Sequence, residues 1–360
     1  MTLLAAFTIH DIPVLIGDFL LTDEQVNANH IFYPTRPDLK NVKPIPGERR
    51  ICGLSKKIHM IGERLVVGFT GQMQPGRYLL KKLHEKFTHE KPTANILSDF
   101  LKNLQFVNKS KTELAGWLWE KRPLCFHWKG SSPGDLKFTK GVFTGSGGNH
   151  FKSMLINADN AGLSPNIQTS LDSAIYIGSC NVGKLFFEEF SSADNLNHHY
   201  GYGAEMMLWD GSRFFYNEKL TFMFWNILID PKNNLHVAPA NVAAAYRNFD
   251  EFSAIQVTHL EPQKDGIIGL QVKNTYIQVV TPIYDSMDGF DPSSIGRIPF
   301  ESGLCFSGLL LQNQTKKLRV RFSIVSECRD EIESFTWFKD GMHYLNLKQL
   351  KERLPPDILN

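Results

Sequence analysis

The chain opens on two apolar runs, Leu3 to Ile9 and Val14 to Asp18, on either side of His10-Asp11-Ile12-Pro13. That pattern predicts a β-hairpin, and a hairpin here sets Thr2 beside Asp18. Phe19 to Thr22 follow, and then a stretch to about Cys52 carries Pro34, Pro37, Pro44 and Pro46 among polar residues, which reads as a long loop or excursion. Ser55 to Ile61 and Arg64 to Gly71 have the apolar pattern of two strands joined through Gly62-Glu63.

The period then changes. Arg77 to Phe87 places Tyr78, Leu79, Leu80, Leu83 and Phe87 along one side, and Ala94 to Val107 is opened by Pro92-Thr93, so both segments are expected to be helices covering a sheet. Strand-like runs return at Leu114 to Trp119, Leu124 to Trp128 and Leu136 to Phe143, the last running into Thr144-Gly145-Ser146-Gly147-Gly148. Beyond it, His150 to Ala158 and Thr169 to Phe190 look helical, and Ala204 to Leu208 with Ser212 to Tyr216 forms a hairpin around Trp209-Asp210-Gly211.

Strands in runs interrupted by paired helices imply an α+β fold, with helix layers outside two stacked antiparallel sheets in a four-layer αββα sandwich, because each sheet has a second face to bury. Residues 1–217 make up this unit, with an insertion at about 24–52. Residues 218–360 form a C-terminal α/β extension of unassigned role. Its strand-like runs are Thr221 to Leu228, Ile267 to Ile283, Leu304 to Leu311 and Leu318 to Val325. Asp330 to Phe338 and Leu345 to Leu354 are expected to be helical, and Asp288 to Pro299 reads as a loop.

Composition narrows the function. At 360 residues and 42% apolar content the chain can bury a large core. A net charge of +2 without a dense Lys/Arg cluster argues against a nucleic-acid groove. The first residues lack a basic leader region and no segment approaches the length of a membrane span, so the expectation is a cytoplasmic protein without a membrane partner. Cys52, Cys125, Cys180, Cys305 and Cys328 are widely spaced and odd in number, which fits reduced thiols.

The candidate chemistry sits at Thr2. Methionine is commonly trimmed before a small residue, and removal of Met1 leaves Thr2 with both a hydroxyl and a free α-amine, a nucleophile carrying its own base. Asp18 follows sixteen positions later at the end of the second strand, Lys57 ends a Lys-Lys-apolar element, Gly71 lies fourteen positions beyond it, and Gly145-Ser146-Gly147 closes the middle strands.

In this register the chain, from residue 2 to about 217, resembles the proteasome β subunits and their bacterial relatives among the N-terminal-nucleophile hydrolases. The resemblance implies Thr2 as nucleophile, Asp18 and Lys57 as its ion pair, the Gly71 N–H as oxyanion donor, and Ser146 as a neighbouring hydroxyl. It further implies Thr22 and Phe69 as substrate-binding residues, a peptide or polypeptide substrate added as a β-strand, assembly into homo-oligomers, and a possible ATPase or assembly partner. Neither a cofactor nor a metal is implied. The chain departs from the family in its insertion, in its extension, and at Asp194 to Gly203, where an Asp-x-x-Ser before a Gly-Gly is missing.

Such residues suffice for amide hydrolysis. The α-amine, ordinarily near a pKa of roughly 7.7 to 8.0, takes the hydroxyl proton; the Lys57 ammonium favours the neutral amine, and Asp18 keeps Lys57 charged. Two other readings stay open: a non-catalytic proteasome-like binding or assembly subunit, and an amidase for small amides. Taken singly, Asp18 also reads as a strand-end turn residue, Lys57 as a solvated charge and Gly71 as a helix-entry glycine. Gly145 to Gly148 lacks the GxGxxG and P-loop patterns and reads as a tight turn. His198 and His199, adjacent in a strand, would point to opposite faces, Cys125-x-His127 lacks a partner pair at zinc spacing, and Trp117, Trp119 and Trp128 are core candidates.

Overall fold

The computed structural model describes residues 2–23, 50–134, 136–159, 169–192, 200–238, 241–248, 252–262, 270–282, 304–313, 318–327, 336–339 and 342–354. Strands β1 (Leu4–Ile9) and β2 (Ile12–Asp18) form the opening hairpin. Its turn is tighter than expected: His10 and Asp11 alone close it, both at positive φ (47° and 66°), the two-residue geometry whose twist matches that of the strands. Pro13 lies inside β2 opposite Thr8, one residue short of the ladder that β2 makes with its other neighbour, so its missing N–H interrupts no pairing there.

The expected excursion begins and ends in paired backbone. Strand β3 (Leu20–Asp23) pairs antiparallel with β4 (Arg50–Leu54), and residues 24–49 between them lie outside the described residues. Next come β5 (Ile58–Ile61), β6 (Leu65–Gly71), α1 (Met73–Phe87) and α2 (Ala94–Asn103). Helix α1 starts four residues earlier than the sequence pattern suggests, because Pro75 falls in the first turn, where a proline N–H has no intrahelical partner to lose. Helix α2 is capped by the Thr93 hydroxyl, which accepts from the Ile96 N–H, and it ends at Asn103, short of Val107.

Strands β7 (Thr112–Trp119) and β8 (Pro123–Lys129) follow. The single strand expected over Leu136 to Phe143 is two, β9 (Lys137–Thr139) and β10 (Val142–Thr144), and they belong to different sheets. The chain crosses between sheets at Lys140-Gly141. Helices α3 (Gly148–Asp159) and α4 (Ser170–Ser192) and strands β11 (Ala204–Trp209) and β12 (Phe214–Tyr216) complete this part.

Two five-stranded antiparallel sheets result, β10-β1-β2-β11-β12 and β5-β6-β7-β8-β9. Alternation along β1 explains its unbroken apolar run. Leu4 and Ala6 pack with Leu15 against Ile58, Val66, Ala115 and Trp117 of the second sheet, while Leu3, Ala5 and Phe7 turn the other way to meet Phe151, Val182 and Phe186 of α3 and α4. The outer face of the second sheet is covered by Leu79, Leu80, Leu83 and Phe87 of α1 and Leu97 and Leu101 of α2. The fold is mixed α+β with mostly antiparallel sheets.

The remainder is β-rich. Strands β13 (Lys219–Ile229), β14 (Leu235–Val237), β15 (Asn241–Asn248), β16 (Ser253–Pro262), β17 (Leu270–Val280), β18 (Leu304–Asn313) and β19 (Leu318–Glu327) form a seven-stranded sheet in which only β13 and β18 run parallel. Strands β14, β15 and β16 lie outside the strand-like runs that the sequence pattern marks. A small hairpin of β20 (Thr336–Lys339) and β21 (Met342–Leu345) precedes α5 (Leu347–Arg353). The helix expected over Asp330 to Phe338 is corrected: residues 336–339 are strand, paired with Met342 to Leu345, and 330–335 lie outside the described residues, as does the loop expected at Asp288 to Pro299.

One face of this third sheet shares the core of the first. Phe222, Phe224, Tyr246 and Phe306 pack directly on Phe186, Phe187 and Phe190 of α4, in the same cluster that reaches Leu3 and Ala5. Helix α4 is thus buried on two sides, which accounts for an apolar content too high for an amphipathic surface helix.

Candidate active site

Hairpin register carries Thr2 to Asp18. Leu4 stands opposite Gly17, so Leu3 faces Asp18: the Asp18 N–H donates to the Leu3 carbonyl (3.2 Å) and the Leu3 N–H donates to Asp18 Oδ1 (2.9 Å). The alternation that sends Leu3 outward and Leu4 inward places Thr2 on the side of the second sheet. Thr2 is 2% exposed.

Lys57 enters from the start of β5. Its Nζ donates to Asp18 Oδ1 (2.7 Å) and to the Leu20 carbonyl (2.6 Å), with both charged side chains buried. The second carboxylate oxygen, Asp18 Oδ2, accepts from the Gly201 N–H (3.1 Å). One carboxylate therefore ties the first strand, the lysine segment and the entry to β11 together.

The Gly-Ser-Gly turn meets Thr2 from the other side. The Thr2 N–H lies 3.4 Å from Ser146 Oγ, and the Gly147 N–H donates to the Thr2 carbonyl (3.4 Å). Gly145, at φ +80°, comes so close that a Cβ there would sit 1.9 Å from the Thr2 carbonyl oxygen and 3.4 Å from Thr70 Cγ2. Only glycine fits. Thr70 precedes Gly71, so the end of β6 also borders this turn, and Gly71, itself at φ +108°, is exposed there together with Ser146. Thr2 meets Ser146 directly and Lys57 meets Asp18 directly, the two pairs are linked through Leu3, whose N–H donates to Asp18, and Gly71 adjoins them through Thr70 and Gly145.

The remaining two predicted residues are placed differently. Thr22 stands on β3 opposite Ile51. Phe69 is fully buried under α1 among Leu79, Leu80 and Leu83, and its ring occupies the space where Gly76 lacks a side chain, so it packs the core and presents no surface to a ligand.

Sequence reasoning missed several participants. Glu205 on β11 is buried, and its Oε1 accepts from the backbone N–H groups of both Lys57 and Ile58 (2.8 Å each). Burial raises its carboxyl to about 7, against the pull of Lys56. Lys56 is also buried, 3.8 Å from Glu205 Oε2 and 3.8 Å above the centre of the Tyr216 ring. The available signal was a lone acid inside Ala204-Glu205-Met206-Met207-Leu208-Trp209, an otherwise apolar strand.

Glu113 forms a second polar cluster beside the turn. Its Oε2 lies 3.0 Å from His127 Nε2 and accepts from the Thr144 hydroxyl (2.6 Å), and Lys129 Nζ is 3.3 Å from Oε1. These bonds, that of His127 foremost, hold the Glu113 carboxyl down to about 2. On the helix side, the Tyr200 hydroxyl donates to Glu188 Oε2 (2.7 Å), which also meets His150 Nε2 (2.9 Å), and the Tyr200 ring packs on Gly147. This polar set leads into Gly201, in the region where the sequence lacks the family's Asp-x-x-Ser; residues 193–199, with Asp194, His198 and His199, lie outside the described residues.

No protein-family model and no curated protein matches the chain. Among the described residues, no group of three or more His, Cys, Asp or Glu side chains is arranged to hold a metal ion, and no helix is long and apolar enough to cross a membrane. Cys125 is buried between the sheets, where desolvation pushes its thiol up to about 12, and His127 is engaged with Glu113. A cavity of about 730 Å³, lined by Met60, Glu63, Arg213, Phe214 and Arg247 among others, opens at the β5–β6 turn, the end of β6 remote from Gly71.

Proposed function

We propose that this chain is a threonine-type N-terminal-nucleophile hydrolase that cleaves amide bonds in peptides, on a four-layer αββα arrangement resembling the proteasome β subunits. The observation that carries this reading is the Asp18 carboxylate, which holds the Leu3 N–H, the Lys57 ammonium and the Gly201 N–H at once, immediately beside Thr2. The packing of α1 and α2 on one sheet and of α3 and α4 on the other supports the layer order, with the third sheet added outside α4.

In the reaction, removal of Met1 frees the Thr2 amine next to Ser146. The amine accepts the Oγ proton as Oγ bonds to the substrate carbonyl carbon, and the Gly71 N–H receives the developing oxyanion, an effect worth about 10²- to 10³-fold. Collapse breaks the C–N bond, with the amine returning its proton to the leaving nitrogen. Water then hydrolyses the ester by the same route in reverse.

Intact-mass analysis with a β-lactone probe tests this. Expected is a chain lacking Met1 that gains one adduct, lost in Thr2→Ala; an adduct that persists in Thr2→Ala ends the reading. A second reading, a non-catalytic binding or assembly module, is favoured by the near-complete burial of Thr2. N-terminal sequencing separates the two, because retained Met1 blocks the amine. An amidase confined to small amides is the third, and turnover of unfolded polypeptide excludes it.

A further inference from the structure

The segment that delivers Lys57 is held with unusual completeness. Four successive backbone N–H groups each have a partner outside the segment: Ser55 donates to the Phe19 carbonyl (2.9 Å), Lys56 to the Thr281 carbonyl (2.9 Å), and Lys57 and Ile58 both to Glu205 Oε1. The Ser55 hydroxyl adds a second bond to the Thr281 carbonyl (3.0 Å), and the Tyr216 hydroxyl donates to the Ile58 carbonyl (2.9 Å). Adjacent residues of extended chain point to opposite sides, so Lys57 reaches Asp18 while Lys56 turns to Glu205.

We propose that Glu205 is a positioning residue for Lys57: it clamps the lysine's own backbone N–H, Lys56 supplies the clamp with a counter-charge, and together they set where Lys57 Nζ meets Asp18. The inference rests on the hydrolase reading for its catalytic consequence only. Lys57 is thereby gripped at both ends, by β11 through its backbone and by β2 through its ammonium. Two further features fit a clamp. Glu205 stands opposite Gly17, next to Asp18 in the register, so the two carboxylates that hold Lys57 leave neighbouring strands at the same level. Among the described residues, Oε2 has no hydrogen bond and lies 3.8 Å from Lys56 Nζ, so Oε1 can serve the two N–H groups in either protonation state of the carboxyl.

Removing one of the two charges takes from the other an opposite charge that it has in the core, so the test uses pairs. In Lys56→Met/Glu205→Gln the buried charges are gone but the amide oxygen still accepts from both N–H groups; in Lys56→Met/Glu205→Ala the acceptor is gone too. Two readouts are taken on the full chain. The first is acetylation of Lys57 by an N-hydroxysuccinimide ester, mapped by peptide mass. Lys57 stays protected in wild type and in the Gln pair, and reacts about tenfold faster or more in the Ala pair. Equal protection in wild type and the Ala pair overturns the inference, whether or not the protein is an enzyme.

The second readout is acylation of Thr2 by the β-lactone, split into reversible binding and rate. The Ala pair is expected to lose up to about 10²-fold in rate, the scale of a misplaced catalytic group, at unchanged reversible binding, and the Gln pair to retain most of the rate. A wild type that never acylates sinks the hydrolase reading and leaves the clamp to be judged on acetylation. A wild type that acylates alongside an Ala pair of equal rate sinks the clamp.

Discussion

Lys57 Nζ lies 2.7 Å from Asp18 Oδ1, and solvent reaches neither side chain. Such a pair adds little net stability over an apolar replacement, yet losing one partner leaves a charge in the core, at a cost of about 3–5 kcal/mol. Lys57→Met and Asp18→Asn are each expected to lose stability on this scale in urea unfolding, and the double variant to recover most of it. Acylation of Thr2 should be absent in all three. Stability and chemistry then separate, since only the former is restored by removing both charges.

Gly145→Ala is expected to be the most damaging single methyl in the turn. The new Cβ meets the Thr2 carbonyl at 1.9 Å, on a backbone at φ +80°, and the conformational cost alone is about 1–3 kcal/mol. Melting temperature should drop and Thr2 labelling should be lost. Gly134→Ala, where a Cβ meets nothing within 4 Å, serves as the control and should stay within about 0.5 kcal/mol of wild type.

Glu113 links pH to the turn. Its folded-state carboxyl sits at about 2, below the ordinary range near 4.5, because His127, Thr144 and Lys129 stabilise the anion. A depressed acid contributes stability above its unfolded value and loses it as pH falls from about 4.5 toward about 2. Glu113→Gln should flatten the stability profile in that window. At neutral pH it should cost no more than about 1 to 2 kcal/mol, because a side chain 30% exposed is screened by solvent. Acid titrations followed by circular dichroism read the difference.

The region beyond residue 218 should prove inseparable from the rest. Phe224 packs on Phe187 and Phe190 of α4, and Phe224→Ala is expected to cost about 3–5 kcal/mol. A chain ending at residue 217 would bare that aromatic face, and it should precipitate or expose dye-binding apolar surface. Phe138→Ala, at a ring already 43% exposed, should leave the melting temperature nearly unchanged.

Local patterns in the sequence go far in the first 217 residues. The apolar runs of β1, β2, β6 and β7, the Thr93 cap and the stripe of α1 are each written in a few neighbouring residues, because strand and helix periods and caps are local properties. The registered spacing of Thr2, Asp18, Lys57 and Gly71 belongs to the same level. It falters where local signals are weak: Asn241 to Asn248 is rich in alanine and carries no strand pattern, yet forms β15 because β13 and β16 pair with it from either side. Likewise Leu136 to Phe143 reads as one run and is divided between two sheets.

What the amino-acid order alone determined is which segments are strands or helices over most of the chain, and which residues stand at fixed distances along it. Partners across the fold were decided only in three dimensions. Glu205 reaches Lys57 and Ile58 from 147 or more residues away, Gly201 reaches Asp18 from 183, and Phe69, favoured by its place in the order, is taken by the core under α1. The physical reason is that periodicity records whether a side chain meets water, whereas burial of a charge or an unpaired N–H is settled by whichever distant group arrives to satisfy it.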